Sequence, residues 1–274
     1  MEAIHKFDLH MHSTASDGTD KPSVVVAHAK ENGLTLMALT DHDSVGGVEE
    51  AMEAGERLGI RVIPAIEFDT EYQSELHMLG YNVDIHNEEL LGVVRRAADR
   101  RIERNREIFR RMREAGYDIE PHLPHTDGTI TRAHIAMAIV SMGLADDMHD
   151  AFMRFLKEGR VGFFNFKRPS PEEIIDVIHR AGGISVLAHP YHASGNVIAL
   201  CERLIAHGLD GLEAYHSSAS EGQAETLVSL ANQRGVLVTC GSDSHGNNRK
   251  NVSIGCTWRE TKELERTYAY FMDK

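Results

Sequence analysis

The chain has 274 residues, with 29 lysines and arginines against 42 aspartates and glutamates, a formal charge of −13. That length suits one large α/β domain or a barrel carrying an insertion, and it buries enough surface to need no disulfide staples. The acidic balance argues against long nucleic acid and anionic membranes as partners, and three cysteines without CxxC spacing exclude a disulfide framework and a zinc ribbon and favour a reducing, cytoplasmic setting.

The start, residues 1–12, is polar and does not read as a signal peptide, and the longest mostly apolar stretch, 135–145, is too short to span a bilayer. Residues 4–9 read as a strand. Residues 21–32 read as a helix with Asp20 as candidate N-cap, Pro22 in the first turn and Gly33 as the stop. A second strand is expected over 34–40, a second helix over 47–58 ended by Gly59, and strands over 61–68 and 76–81. Such alternation predicts a parallel sheet or barrel.

From 88 to 116 the pattern becomes one long helix, with Leu91, Val94, Ala98, Ile102, Phe109 and Met112 recurring on one stripe. Nine arginines between Arg95 and Arg113, mixed with Asp99, Glu103 and Glu107, read as a solvated, salt-bridged face. Helical patterns continue over 132–142 and 147–158. The expected organisation is therefore a barrel in two parts, 1–85 and 166–274, around an all-helical insertion, 86–165. Alternation returns after Pro169, with helices over 171–181, 196–207, 221–234 and 260–272 and strands over 184–188, 211–215 and 236–240.

Histidine is abundant, at 17 residues, and it is placed non-randomly. His10 and His12 close the first strand, where a two-residue period points both rings to one side. Asp41-His42-Asp43 closes the second strand and Glu67 the third. His77 lies in the fourth, Ala188-His189-Pro190 closes the fifth, and Gly241-Ser242-Asp243-Ser244-His245 closes the last. Parallel α/β folds carry their chemistry at strand C-termini. Imidazoles mixed with carboxylates suit Mn²⁺, Fe²⁺, Zn²⁺ or Mg²⁺, and these ligands outnumber the needs of one ion. Asp41 and Asp43 read as residues that orient a ligand from outside. His122 and His125 read as a surface loop, and Phe163, Phe164 and Phe166 as a junction core.

Five motifs in this order, HxH, TDHD, a Glu-ended strand, AHP and GSDSH, resemble the polymerase-and-histidinol-phosphatase (PHP) family of phosphoesterases over residues 1–81 and 165–250. The resemblance implies a distorted (β/α)7 barrel holding three divalent ions. Carried over by position, His10, His12, Glu67 and Asp243 would hold the first ion and Asp17, His42 and His245 the second. Glu67 would bridge to a third ion, completed by His77 and His189. Asp17 stands where several relatives have a histidine; a carboxylate is the harder ligand and tilts that site toward Mn²⁺ or Fe²⁺ over Zn²⁺. Within the helical stretch, Thr131-Arg132-Ala133-His134 resembles the RxH segment of a sub-branch that includes 3′,5′-nucleoside bisphosphate phosphatases and 5′-3′ exoribonucleases. In that branch the Arg and His hold substrate phosphate, as a guanidinium fork and a further donor would. The same pair would equally serve to cap or ion-pair its helix.

The reaction so implied is hydrolysis of a small nucleotide or sugar phosphate by a hydroxide shared between ions. The first-choice substrate is a 3′,5′-nucleoside bisphosphate, converted to the 5′-monophosphate. Short 5′-phosphorylated oligonucleotides, cyclic sugar-phosphate diesters and histidinol phosphate are the alternatives. Asp243 is the candidate to accept or orient the water proton; His216, His42 or the third ion would serve the leaving oxygen. Arg249 is a candidate for a second phosphate. A metal-dependent amidase lacks an obvious carboxylated lysine at a strand end, and a non-catalytic binding module would not need the full ligand set.

Overall fold

The computed structural model describes residues 5–72, 75–126 and 129–273; Ile4, the expected start of the first strand, lies outside them. One sheet runs in chain order through β1 (Phe7–Asp8), β2 (Leu36–Leu39), β3 (Arg61–Glu71), β4 (Glu75–Tyr81), β5 (Ile184–Leu187), β6 (Gly211–His216) and β7 (Leu237–Gly241). It comes back on itself. The Leu9 N–H donates to the Cys240 carbonyl at 3.0 Å, the His12 N–H donates to the Ser244 carbonyl at 2.9 Å, and Met11 and Ser244 form a parallel bridge. The result is a nearly closed seven-stranded barrel.

β1 pairs parallel with β2, β2 with β3, β5 with β6 and β6 with β7. β4 departs from the all-parallel expectation and runs antiparallel to both β3 and β5. The cause is local: β3 continues past Phe68 to Glu71, and only residues 72–74 separate it from β4. So short a connection returns antiparallel, because a parallel partner needs a crossover of a dozen or more residues.

The helices in chain order are α1 (Pro22–Glu31), α2 (Val48–Leu58), α3 (Glu88–Glu114), α4 (Arg132–Ser141), α5 (Met148–Ala151), α6 (Pro171–Arg180), α7 (Val197–His207), α8 (Glu221–Arg234) and α9 (Lys262–Met272). Their ends follow sequence chemistry. α6 starts with Ser170 and Glu173 in a capping box around Pro171, and it buries Ile174, Ile175, Val177 and Ile178. α8 starts on the same box from Ser220 and Gln223 and stops at Gly235, left-handed at φ 72°. α1 differs from its expectation, because its N-cap is Lys21, without a side-chain cap bond, and Pro22 alone sets the start. Asp20 instead accepts the Thr14 N–H through its backbone carbonyl, at 2.9 Å. Met11, Val26, Met37, Leu39, Ala51, Ala54 and Val62 share one buried cluster that ties α1 and α2 to the sheet. Each large side chain there contributes about 1.5–3 kcal/mol by leaving water.

The segments up to Gly92 and from Arg168 onward form one compact unit, and Val93–Lys167 a second. The second has its own core, with Ile108, Met112, Ile119, Ile135, Ile139, Phe155 and Leu156. The buried face of α3 departs from the expected stripe everywhere but at Met112. The buried positions are Leu90, Val93, Ala97, Arg101, Arg104, Asn105, Ile108 and Met112, while Ile102 is 45% exposed. The pairs Leu90-Leu91, Val93-Val94 and Ala97-Ala98 repeat each apolar residue, so two adjacent stripes fit the period equally. Arg101 and Arg104 are therefore buried rather than solvated. Arg104 donates to Asn105 Oδ1 through Nε at 3.1 Å and through Nη2 at 3.0 Å, and Asn105 Nδ2 donates to the Ile130 carbonyl at 2.8 Å. The solvated, ion-paired pattern holds further along, where Arg110 meets Glu107 and Glu114 and Arg111 meets Glu107. Among the described residues, no helix is long and apolar enough to cross a membrane.

Candidate metal centre

The barrel brings the strand ends to one place. His10 and His12 follow β1, and His42, just past β2, forms a parallel bridge to Glu67 on β3. Asp69 on β3 stands in register with His77 on β4. His189 follows β5, Glu213 and His216 lie on β6, and Asp243 and His245 follow β7. Asp17 comes from the loop after β1, which Asp41 holds. The Asp41 carboxylate accepts the Ser13 N–H at 2.8 Å, the Ser13 hydroxyl at 2.7 Å and the Ser16 hydroxyl at 2.6 Å. Gly18 lets that loop turn, since a Cβ there would sit 2.6 Å from the His12 carbonyl oxygen.

Three of the strand ends at this centre hold non-glycine residues at positive φ: Asp43 at 48°, His189 at 28° and Asp243 at 56°. Such backbone costs about 1–3 kcal/mol per residue and persists only where its surroundings dictate it. Here they do: the Asp43 N–H donates to the Glu67 carbonyl at 2.7 Å, and the Asp243 N–H to the His10 carbonyl at 2.8 Å.

Two carboxylates form the hub. Glu67 Oε2 lies 3.2 Å from His10 Nε2, from His12 Nε2 and from His42 Nδ1, while its Oε1 lies 2.9 Å from His77 Nδ1 and 3.2 Å from His189 Nε2. Asp243 Oδ1 lies 3.1 Å from His12 Nε2 and 3.4 Å from His245 Nδ1. Asp17 Oδ1 lies 3.2 Å from His245 Nε2. Two donors each about 2.1 Å from a shared cation stand about 3.0–3.4 Å apart, so these spacings fit ligands around ions as well as hydrogen bonds. Buried atoms without a hydrogen-bond partner include His10 Nε2, both ring nitrogens of His12, His42 Nδ1 and Glu67 Oε2. Unpaired buried polar atoms are costly, and hard divalent cations match this mixed set.

Among the described residues, ligand atoms fall within 4.8 Å of one another in five groups: His12, Asp17, His42 and His245; His10, His12 and Glu67; His10, Glu213 and His216; His10, His189 and Asp243; and His42, Glu67 and His77. The grouping differs in detail from the sets implied by resemblance. His42 belongs with Glu67 and His77 as well as with Asp17, and His189 stands with His10 and Asp243.

Electrostatics bind the cluster. Burial alone would raise Glu67, but His10, His42 and His77 outweigh it and hold the carboxyl well below its usual range. Asp243 and Asp17 are lowered in the same way, against their burial, by His10 and His245 and by His245 and His42 respectively. Burial opposes charge on His42, yet Glu67, Asp17 and Asp69 overcome it and raise the imidazole to about 9. The site attracts positive charge strongly.

All nine sequence-proposed ligands meet here, together with two other proposed residues. His216 Nε2 lies 3.3 Å from Asp243 Oδ2. Arg249 pairs with the same carboxylate and donates to the Asp243 carbonyl at 3.1 Å. Arg132 and His134 belong to the second unit, at the first turn of α4. His134 Nδ1 accepts the Thr131 N–H at 3.0 Å and so closes a capping box. Two residues absent from the sequence proposal also reach the centre. Asp69 Oδ1 stands 3.2 Å from His42 Nδ1, and Glu213 is buried beside His10. Asp69 had a signal, since it lies two positions beyond Glu67 on the same strand face.

Comparison with known proteins gives the family. The sequence profile of the PHP domain matches residues 8–163. A 5′-3′ exoribonuclease of Haemophilus influenzae is 34% identical over 248 residues, 88% of this chain and 90% of that protein. A 3′,5′-nucleoside bisphosphate phosphatase of Chromobacterium violaceum is 31% identical over 261 residues, 91% of this chain and 90% of the relative. Among solved structures, an amidohydrolase from Chromobacterium violaceum with bound sulfate and no metal superposes with a TM-score of 0.89 at 27% identity, covering 97% of this chain and 96% of that one. By fold, motif order and sequence, the chain belongs to the PHP family, and it is a metal-dependent hydrolase of phosphate esters.

Proposed function

We propose that the protein removes phosphate from small nucleotides, with a 3′,5′-nucleoside bisphosphate as first substrate and the 5′-monophosphate as product. The observation that carries this reading is the convergence of nine imidazole and carboxylate side chains around Glu67 and Asp243. The relative that hydrolyses 3′,5′-bisphosphates over nearly its full length supports the choice of substrate. The set is read as holding three divalent cations, Mn²⁺ first and Fe²⁺, Zn²⁺ or Mg²⁺ as substitutes, because Asp17 hardens the second position. Bound there, the cations supply Lewis acidity toward phosphate oxygens and lower the pKa of water.

The chain's own residues do the rest. Asp243 faces His12 and His245 through Oδ1 and is assigned to accept or orient the proton of the attacking water. His216 is assigned to the leaving oxygen. Its Nδ1 accepts the Ser218 N–H at 3.2 Å, so its proton sits on Nε2, toward the reaction centre. His42 is the other candidate for that step. Arg249, beside Asp243, would meet a phosphate oxygen with its fork. Arg132 and His134 are kept as phosphate contacts, His134 acting through Nε2 because its Nδ1 serves the cap. The free thiols at Cys201, Cys240 and Cys256 fit a reducing, cytoplasmic setting, and burial pushes the Cys201 thiol up to about 12, far from reactivity.

A second reading, stepwise hydrolysis of short 5′-phosphorylated oligonucleotides, is favoured by the exoribonuclease relative. Cyclic sugar-phosphate diesters come third. The test is phosphate release from adenosine 3′,5′-bisphosphate by the Mn²⁺-loaded protein. Asp243→Asn is expected to lower the rate by more than about 100-fold while the protein stays folded. Wild-type turnover in that variant would remove the Asp243 assignment. No release from protein verified to carry metal would remove the substrate, and 5′-phosphorylated dinucleotides and cyclic phosphates would then be compared.

A further inference from the structure

We infer that Glu213 is the positioning residue of this centre: one carboxylate sets the tautomer of His10 and anchors the strained backbone of His189. The inference rests on the reading of His10 and His189 as cation ligands. Glu213 lies within β6 and is 1% exposed. Its Oε1 stands 2.9 Å from His10 Nδ1, and its Oε2 accepts the His189 backbone N–H at 2.7 Å. Its two oxygens face a backbone N–H and an imidazole nitrogen, a pair that a carboxylate serves as acceptor on both sides. An ionised carboxylate only accepts hydrogen bonds, so His10 Nδ1 must donate. When a cation takes the ring, the Nδ1 proton is the one that stays and the Nε2 lone pair is the one offered. Nε2 is the atom that faces the hub, 3.2 Å from Glu67 Oε2 and 3.6 Å from Asp243 Oδ1.

The second oxygen works on backbone. His189 sits at φ 28°, a conformation that side-chain-bearing residues rarely hold unaided. Its N–H has Glu213 Oε2 as acceptor, and its ring reaches Glu67. One side chain thus aligns two ligands that arrive from β1 and from β5. Gly241 completes the device, since a Cβ built there would collide with both Glu213 Oε1 and His10 Cβ. The glycine that opens the GSDSH motif leaves room for this contact.

The geometry makes Glu213→Gln a sharp probe at nearly constant volume. A backbone N–H can only donate, so the glutamine carbonyl oxygen must face His189. Its NH₂ then faces His10 Nδ1, which can no longer donate. The proton moves to Nε2, and the ring turns from ligand to non-ligand. The experiment strips the protein of metal, titrates it with Mn²⁺, and records ¹⁵N-histidine spectra after loading with Zn²⁺. Expected for Glu213→Gln is a 10- to 100-fold weaker affinity and loss of the His10 signature of protonated Nδ1 with metal-bound Nε2. Gly241→Ala should weaken Mn²⁺ binding in the same direction without changing a polar group, and it carries the test if Glu213→Gln fails to fold. Wild-type affinity and an unchanged His10 signature in both variants overturn the proposal. So does loss of one whole equivalent of cation with the His10 signature intact, which would make Glu213 a ligand. Wild-type protein that takes up no Mn²⁺ at all would instead sink the underlying reading.

Discussion

Asp243 and His42 show how single residues set the chemistry. Asp243 carries five contacts on one carboxylate because β7 delivers it, at φ 56°, between the imidazoles after β1 and those of β6 and the β7 loop. His42 gives a pH prediction. With its imidazole raised to about 9 by the carboxylates that overcome its burial, it is protonated at pH 7 in the cation-free protein. A cation must displace that proton. Mn²⁺ uptake at pH 7 should release protons, seen as buffer-dependent heats in calorimetry, and apparent affinity should rise with pH until about 9. The stability His42 gives the cation-free fold has the opposite trend: it is full below about 6.5 and is lost as pH rises through about 9. Buffer-independent heats would refute the protonated state. Eight of the nine proposed ligands follow or occupy a strand, where metal-binding residue types stand out; Asp17 lies in the loop after β1, and only the family resemblance pointed to it. Glu213 was not legible, because a bulge between Glu213 and Tyr215 breaks the alternation that would mark an inward residue. Asp69 lies past Phe68, where the apolar pattern ends although β3 continues to Glu71.

At the scale of elements, local chemistry was readable wherever one signal had no competitor. Ser170-Pro171 with Glu173 and Ser220 with Gln223 start α6 and α8 at the expected places, and Gly59 and Gly235 end α2 and α8. Ser170→Ala should therefore cost about 1 kcal/mol in chemical denaturation by removing the bond to the Glu173 N–H, with Mn²⁺ affinity unchanged. A loss of affinity would mean that α6 helps to hold the His189 end of β5. Signals failed where two patterns fitted at once. On α3 the doubled apolar residues left the face undecided, and polar contacts of Arg104 and Asn105 with the Ile130 carbonyl accompany the observed choice. The strand direction of β4 depended on how far β3 ran, which composition alone does not mark.

For the whole molecule, cations held as proposed would act as staples on one part of the chain. The nine proposed ligands run from His10 to His245, and all lie in the unit formed by the segments up to Gly92 and from Arg168 onward. The unit Val93–Lys167 has a separate core around Ile108, Ile135 and Phe155 and contributes none of them. A ligand that binds only the folded state stabilises it by about 2.7 kcal/mol at a hundredfold excess over its dissociation constant. That increment should fall on the opening of the barrel unit, because only there does unfolding release the ions. Hydrogen exchange with and without Mn²⁺ should show slowed amides in β1, β3, β5 and β7 and little change in α4. The effect should fade as pH drops below about 6.5, where protons compete for the imidazoles. Equal slowing in both units would mean that they open as one cooperative body, and the separate core around Ile135 would then not be an independent unit of stability.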